Sequence, residues 1–216
     1  MIADSVTGVA SCGLVTRHEP VDLLAASTLL FDEPVHLPAD HIRLLGLTNG
    51  AEAFGGYIRL YGLAPRHGID LRHWNRADGW RQAWRRRLDG FWCFGGTAWG
   101  DQYAYCVDEP GVFRLDAYRM EAEPVAATFG EFLRCEFLRQ AERPHDDLTV
   151  QARQRIGDLE ARQMLLPLPS PLGGAGIDTG ELAVLAAEAV MTENGFRLSA
   201  FEARFGNRPT ATLFAL

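Results

Sequence analysis

The spacing of apolar positions changes several times along the chain, and the changes divide it into elements. Val21, Leu24 and Thr28 fall on one helical stripe with Leu23 and Leu30 beside it, which predicts a first helix over 20–30 with Pro20 in its opening turn. A second helix over 39–47 begins after Pro38 and stops at Asn49-Gly50, two residues that tolerate a left-handed backbone. Residues 57–61 have the content of a strand. Over 78–88, Trp80, Trp84 and Leu88 recur at helical spacing. They predict a helix with these three inward and Arg81, Arg85 and Arg86 toward water.

The middle of the chain reads as sheet. Residues 91–94 are apolar on both faces, as in a buried central strand. Gly95 to Asp101 reads as a glycine-rich connection, 103–107 as a second strand and 112–116 as a third. Between the last two, Glu109-Pro110-Gly111 places Pro and Gly in the central positions of a type II turn. Pairing round that turn puts Ala104, Cys106, Phe113 and Leu115 on one face, and Tyr105, Val107, Arg114 and Asp116 on the other. Thr128 and Glu131 form a capping box, opening a helix that carries Phe129, Phe132, Leu133 and Phe137 to about Arg139. A helix over 148–159 follows, then a loop rich in Pro and Gly from 167 to 180. The stretch 181–205 reads as helix interrupted at Asn194-Gly195, and no repeat emerges.

Composition narrows the chemistry. All 21 basic residues are arginine, so any activity that needs a lysine is excluded, whether phosphate-loop, Schiff-base or kinase-like. The net charge of −7 opposes binding to a phosphate backbone, and no nucleic-acid partner is expected. No apolar run is long enough to span a membrane and the N-terminus does not read as a signal peptide, so the expected location is the cytoplasm. Cys12, Cys93, Cys106 and Cys135 include no CxxC pair, which suits buried thiols better than a zinc site or a disulfide framework. None of the six histidines has a metal-binding spacing; His67 and His73, six residues apart, read as surface side chains. No GxSxG elbow is present, and the glycines at 95–100 lie between strands instead of entering a helix. Asp101 is a carboxylate with no partner that the sequence can name. No catalytic residue, metal or cofactor is therefore expected.

The ordered motifs resemble the SUKH superfamily, the Smi/Knr-like proteins. The carrying residues are Leu37-Pro38-Ala39-Asp40 at a helix start and Leu47-Thr48-Asn49-Gly50 at its end, then Trp80 and Trp84. After these come Phe94-Gly95-Gly96, Gly100-Asp101, Tyr103 and Tyr105, and finally Phe129, Phe132 and Leu133 on a closing helix. The resemblance covers roughly 32–140, about half of the chain. Tyr105 departs from the family pattern because Cys106 follows it where an aspartate is usual a few residues on.

The resemblance implies a single α+β domain, a mostly antiparallel twisted sheet flanked by helices. Its core would span 1–145, with 146–216 as a helical C-terminal extension packed on it. It also implies a bacterial immunity protein that binds and blocks a cognate toxin without catalysis; the alternative is a structural or regulatory adaptor that has no toxin partner. An acidic chain would be steered toward a basic toxin. The candidate contact residues are Asp101, Asp108, Glu109, Asp116, Glu121 and Glu123 in and after the hairpin, with Trp99 as an aromatic anchor. Seven arginines between Arg66 and Arg87 make a cationic segment, so two faces of opposite sign are expected.

Overall fold

The computed structural model describes residues 4–30, 33–84, 88, 90–144, 146–173 and 177–205. Its centre is a seven-stranded antiparallel sheet in simple sequence order. The strands are β1 (Val15–Arg17), β2 (Ala51–Ala53), β3 (Ile58–Leu60), β4 (Phe91–Thr97), β5 (Gln102–Cys106), β6 (Val112–Leu115) and β7 (Ala122–Ala126). A separate hairpin pairs β8 (Gln163–Pro167) with β9 (Leu182–Ala186). Helices α1 (Ser5–Ser11), α2 (Leu23–Leu30) and α3 (Ala39–Leu47) stand among the first strands. The short α4 (Leu71–Trp74) and α5 (Arg81–Trp84) lie between β3 and β4. One continuous run follows β7: α6 (Phe129–Phe132), a π-helical turn (Leu133–Phe137) and α7 (Leu138–Glu142). Then come α8 (Asp147–Ile156) and, after the hairpin, α9 (Ala187–Phe205). The architecture is α+β, as the motif order implies.

Local chemistry explains the helix ends. Asp4, Asp70, Thr128 and Asp146 each accept a backbone N–H of the first turn, satisfying donors that the helix leaves orphaned. The capping box at Thr128 forms with a shift of one residue, since the Glu131 carboxylate reaches back to Ala127 N–H at 2.9 Å. Helix α3 ends at Thr48, and Gly50 takes φ +92°, where a Cβ would meet the Leu60 carbonyl at 2.9 Å.

The two faces of the sheet are packed differently. On one, Phe94 sits at a bulge in β4, where two residues oppose one on β5. Its ring stacks on Tyr105 with centroids 4.5 Å apart and meets Phe129 and Phe132 edge-on. His41 of α3 joins this cluster, stacked on Phe129 at 4.4 Å with Nδ1 3.0 Å from the Tyr105 hydroxyl. On the other face the Gln102 carboxamide accepts from Tyr61 Oη at 2.9 Å and Trp74 Nε1 at 2.8 Å, and donates to Gly100 O. Cross-strand partners Ala104 and Phe113 share this face, as the turn at Pro110-Gly111 predicts.

Several expectations need correction. Gly95 to Thr97 belong to β4, so the connection to β5 is only four residues, Ala98 to Asp101. Leu24 and Thr28 point to solvent, Leu24 at 78% exposure; among the described side chains of α2, Ala26 and Leu30 are buried. Trp80 and Trp84 are buried as expected, but Arg81 turns inward. Its guanidinium lies 4.6 Å over the Trp80 ring and donates to the carbonyls of Phe91, Leu88 and Asn75. Arg85 and Arg86 lie outside the described residues. The stretch 181–205 opens as strand β9, and α9 runs unbroken through Asn194-Gly195. Gly195 is there because α5 approaches closely: a Cβ would fall 2.4 Å from Gln82 O. Cys135 is exposed, unlike the buried Cys93.

Burial pushes the His41 imidazole down to about 3, so the native protein holds it neutral where an unfolded chain would protonate it. Protons then bind the unfolded state more tightly, and stability falls as pH drops from about 6.5 toward 3. His41→Phe should therefore reduce the loss of unfolding free energy between pH 7 and pH 4 by about 3 kcal/mol, measured by urea titration. An unchanged loss would mean that His41 is not held neutral.

Candidate functional site

An open concavity that carries several ionisable groups lies beside the end of α3, with a volume of about 590 Å³. One wall is the segment 17–22 between β1 and α2; the other is 63–67 between β3 and α4. The Thr48-Asn49-Gly50 turn builds both walls. Thr48 Oγ1 is buried, donates to Gly50 O at 2.6 Å and accepts His18 N–H at 3.2 Å, which holds the first wall. Asn49 holds the second: its Oδ1 accepts Leu63 N–H at 2.6 Å and its Nδ2 donates to Leu63 O at 2.8 Å. Asp70 then shapes the loop from behind, capping α4 through His73 N–H and accepting Ala64 N–H at 2.5 Å. That bond holds Ala64 in the left-handed region at φ +42°, which turns Pro65, Arg66 and His67 around the rim.

The cleft is ionic and mixed in sign. Arg17, His18, Glu19 and Asp22 belong to the first wall, and Arg66 and His67 to the second. His18 Nε2 stands 3.7 Å from the Glu52 carboxylate. Sequence reasoning missed this site, reading Asn49-Gly50 only as a helix stop. The available signal was an amide side chain directly after the last turn of a helix, where a buried position requires both its donor and its acceptor to be used.

The residues predicted from sequence do not form one surface. Trp99 is buried at 8% exposure and donates its indole N–H to Thr149 Oγ1 at 2.7 Å, so it is a core residue and not an aromatic anchor. Asp101 accepts Ala117 N–H at 2.9 Å. Burial, then the nearby Asp116 charge, pushes its carboxyl up to about 6, against the Ala117 N–H and Arg114, which favour the charged form. Asp116 accepts Tyr118 N–H at 2.9 Å and Arg119 N–H at 2.7 Å, closing a turn. Glu123 pairs with Arg114 at 2.9 Å. Asp101, Asp116, Glu121 and Glu123 therefore gather at one end of the β5–β6 hairpin. Asp108 and Glu109 are exposed at the other, roughly 20 Å away along the strands.

The cationic segment is divided as well. Arg72 pairs with Glu33 at 3.0 Å and Arg81 is turned inward, while Arg66 and Arg76 are exposed. Arg87 lies outside the described residues. Two clean faces of opposite sign do not form from the described residues. Among these residues, no group of three or more His, Cys, Asp or Glu side chains could hold a metal ion. No helix among them is long and apolar enough to cross a membrane.

No family model and no curated protein matches the chain. Four solved chains do. One is the crystal structure of Atu4351 from Agrobacterium tumefaciens, at 12% identity and a TM-score of 0.58, covering 90% of this chain and 88% of that one. At that identity the likeness is one of fold.

A raised carboxyl makes the native state the tighter proton binder. The stabilisation from protonated Asp101 is complete below about pH 4 and is lost as pH rises through about 6. Asp101→Asn keeps the acceptor for Ala117 and removes the buried charge. It should raise the unfolding free energy at pH 8 by about 1–3 kcal/mol, with the gain vanishing by pH 4. Equal stabilities at pH 8 would show that the carboxylate is solvated.

Proposed function

We propose that the chain is a non-enzymatic immunity protein of the SUKH type, which binds a cognate bacterial toxin in the cytoplasm and blocks it. The observation that carries this reading is the commitment of Asp101. It is the carboxylate that the sequence raises as a catalytic candidate, and it spends an oxygen on the Ala117 backbone at the end of a hairpin. Trp99 and His41 are spent in the same way, on Thr149 and on the Tyr105–Phe129 cluster.

Further support comes from the residues that carry the resemblance, because they serve one scaffold. Pro38 precedes α3, Thr48 and Asn49 fix the chain after it, Trp80 and Trp84 fill the core beneath α9, and Phe129 and Phe132 close the sheet. An inhibitor needs a stable surface more than a reactive group. Here Asp108, Glu109 and Glu121 remain exposed, and a net charge of −7 would speed encounter with a basic toxin.

The test is to search the genes beside this one for a secreted toxin module and to produce that module in bacteria so that growth stops; absence of any such module would favour an adaptor. Co-production of the chain should restore growth, and Asp101→Asn should restore it equally. Asp108→Arg combined with Glu109→Arg should slow complex formation about tenfold or more at low salt, with less effect at high salt. A folded Asp101→Asn variant that loses all protection would point to catalysis instead. A wild-type chain that neither protects nor binds would remove the immunity reading.

A further inference from the structure

We infer that β9 is the contact through which two copies of this chain associate, by antiparallel pairing of β9 with its counterpart about a two-fold axis beside Val184. The inference goes beyond the immunity reading and does not depend on it.

The backbone of β9 has one used edge and one open edge. Leu168 N–H donates to Glu181 O and Ala187 N–H to Arg162 O, each at 2.8 Å and in register with the β8 pairing. The polar groups of an antiparallel strand alternate from side to side, so Ala183 and Leu185 turn theirs toward β8, and Leu182, Val184 and Ala186 turn their N–H groups away. The outer edge of β8 is covered. Leu165 N–H reaches Ala98 O, and the carbonyls of Gln163 and Pro167 accept from Arg59 and Arg197. The outer edge of β9 is not. Among the described residues β9 pairs with β8 alone, and no other backbone group bonds the outward groups of Leu182 and Val184.

The edges of the large sheet carry features that block strand addition, and β9 carries none. β7 has Pro124 at its centre beside Glu123, and β1 is three residues long with Thr16 and Arg17 exposed. β9 is five residues, Leu-Ala-Val-Leu-Ala, with no charge, proline or glycine, and Leu185 is 37% exposed.

The sequence of β9 selects a second copy as the added strand. Antiparallel pairing centred on Val184 sets Leu182 against Ala186 of the second copy, Leu185 against Ala183, and Val184 against Val184. Each leucine thus meets an alanine, large against small, along the whole strand. The two Val184 residues exchange N–H···O bonds, and each Ala186 N–H reaches Leu182 O across the axis. The acids at the strand ends do not oppose one another. Glu181 falls opposite Ala187 and Glu188 opposite Gly180, and Glu188 is already paired with Arg162. A chain of net charge −7 can therefore join its own copy here with no like charges directly opposed.

The experiment is sedimentation velocity on the full chain, with hydrogen exchange at the lowest and highest concentrations. A five-residue strand pair is small against the roughly 1,200–2,000 Å² of a tight interface, so the range is about 1 to about 200 μM. The mass should rise from one chain toward two. The Val184 amide should exchange at least about twofold more slowly at the higher concentration, while the Ala183 and Leu185 amides, bonded to β8, stay unchanged. Val184→Pro removes an outward N–H, and Leu185→Glu sets two carboxylates roughly 7–8 Å apart across the axis. Both variants should remain monomeric throughout. Leu185→Glu alters a side chain that is already partly exposed, so it decides the matter should the proline variant fold poorly. A wild-type chain that stays monomeric, or a folded Leu185→Glu variant that associates as wild type does, would overturn the inference. Association without slowing at Val184 would also overturn it, by placing the contact elsewhere.

Discussion

The buried carboxamide of Asn49 is the interaction on which the path of the chain around the cleft depends. It follows helix α3 as a buried side chain beneath the cleft, so its donor and acceptor are best satisfied from within. Leu63, fourteen residues later, supplies both. Loss of the side chain would strand a backbone N–H and a carbonyl together in the interior, a cost of about 1–3 kcal/mol for each. The same constraint excludes a side chain at Gly62, where a Cβ would fall 2.3 Å from the Asn49 carbonyl. Helix end, returning strand and cleft wall are thus one unit.

Arginine performs the same task elsewhere, and the absence of lysine takes on a structural meaning. Arg59 of β3 is 2% exposed, and its fork donates to Gln163 O at 2.5 Å and Glu160 O at 3.0 Å, tying the seven-stranded sheet to the β8–β9 hairpin. Arg81 collects carbonyls beyond α5, and Arg197 reaches Pro167 O at 2.7 Å from α9. A planar guanidinium can bridge two carbonyls where an ammonium offers a single point, and its weaker hydration makes burial cheaper. Arg59, Arg81 and Arg197 are therefore spent on the chain's own backbone, and Arg81 is a member of the cationic segment that composition suggested for a partner. The C-terminal elements are joined to the sheet by these bonds, by Trp99 to Thr149, and by Leu165 N–H to Ala98 O at 2.8 Å.

Elements with strong local signals were legible in the sequence. The apolar run at 91–94, the Thr128 capping box, the Pro38 start and the turn at Pro110-Gly111 each carry their own instruction within a few residues. Elements whose identity is decided at long range were not. β1 and β2 are three residues each, too short for a period to show. β7 contains Pro124 and is half exposed, as an edge strand can be. β9 is a Leu–Ala stretch that would suit a helix, and it is a strand because β8 pairs with it along its whole length.

The site was less legible than the fold for the same reason. Trp99 and Asp101 occupy a connection between strands, and connections usually face water. This one is covered by α8 and β8, which follow it by some fifty residues and more. Asn49 could be read as a helix stop from its neighbours alone, but its bond to Leu63 could not. The account makes that bond the foundation of the cleft, and native-state hydrogen exchange in wild type and Asn49→Ala tests it most directly. The Leu63 amide should be protected in wild type and exchange at least about tenfold faster in the variant, with the Ala104 and Phe94 amides still protected. Unchanged protection at Leu63 in a folded Asn49→Ala protein would contradict the account.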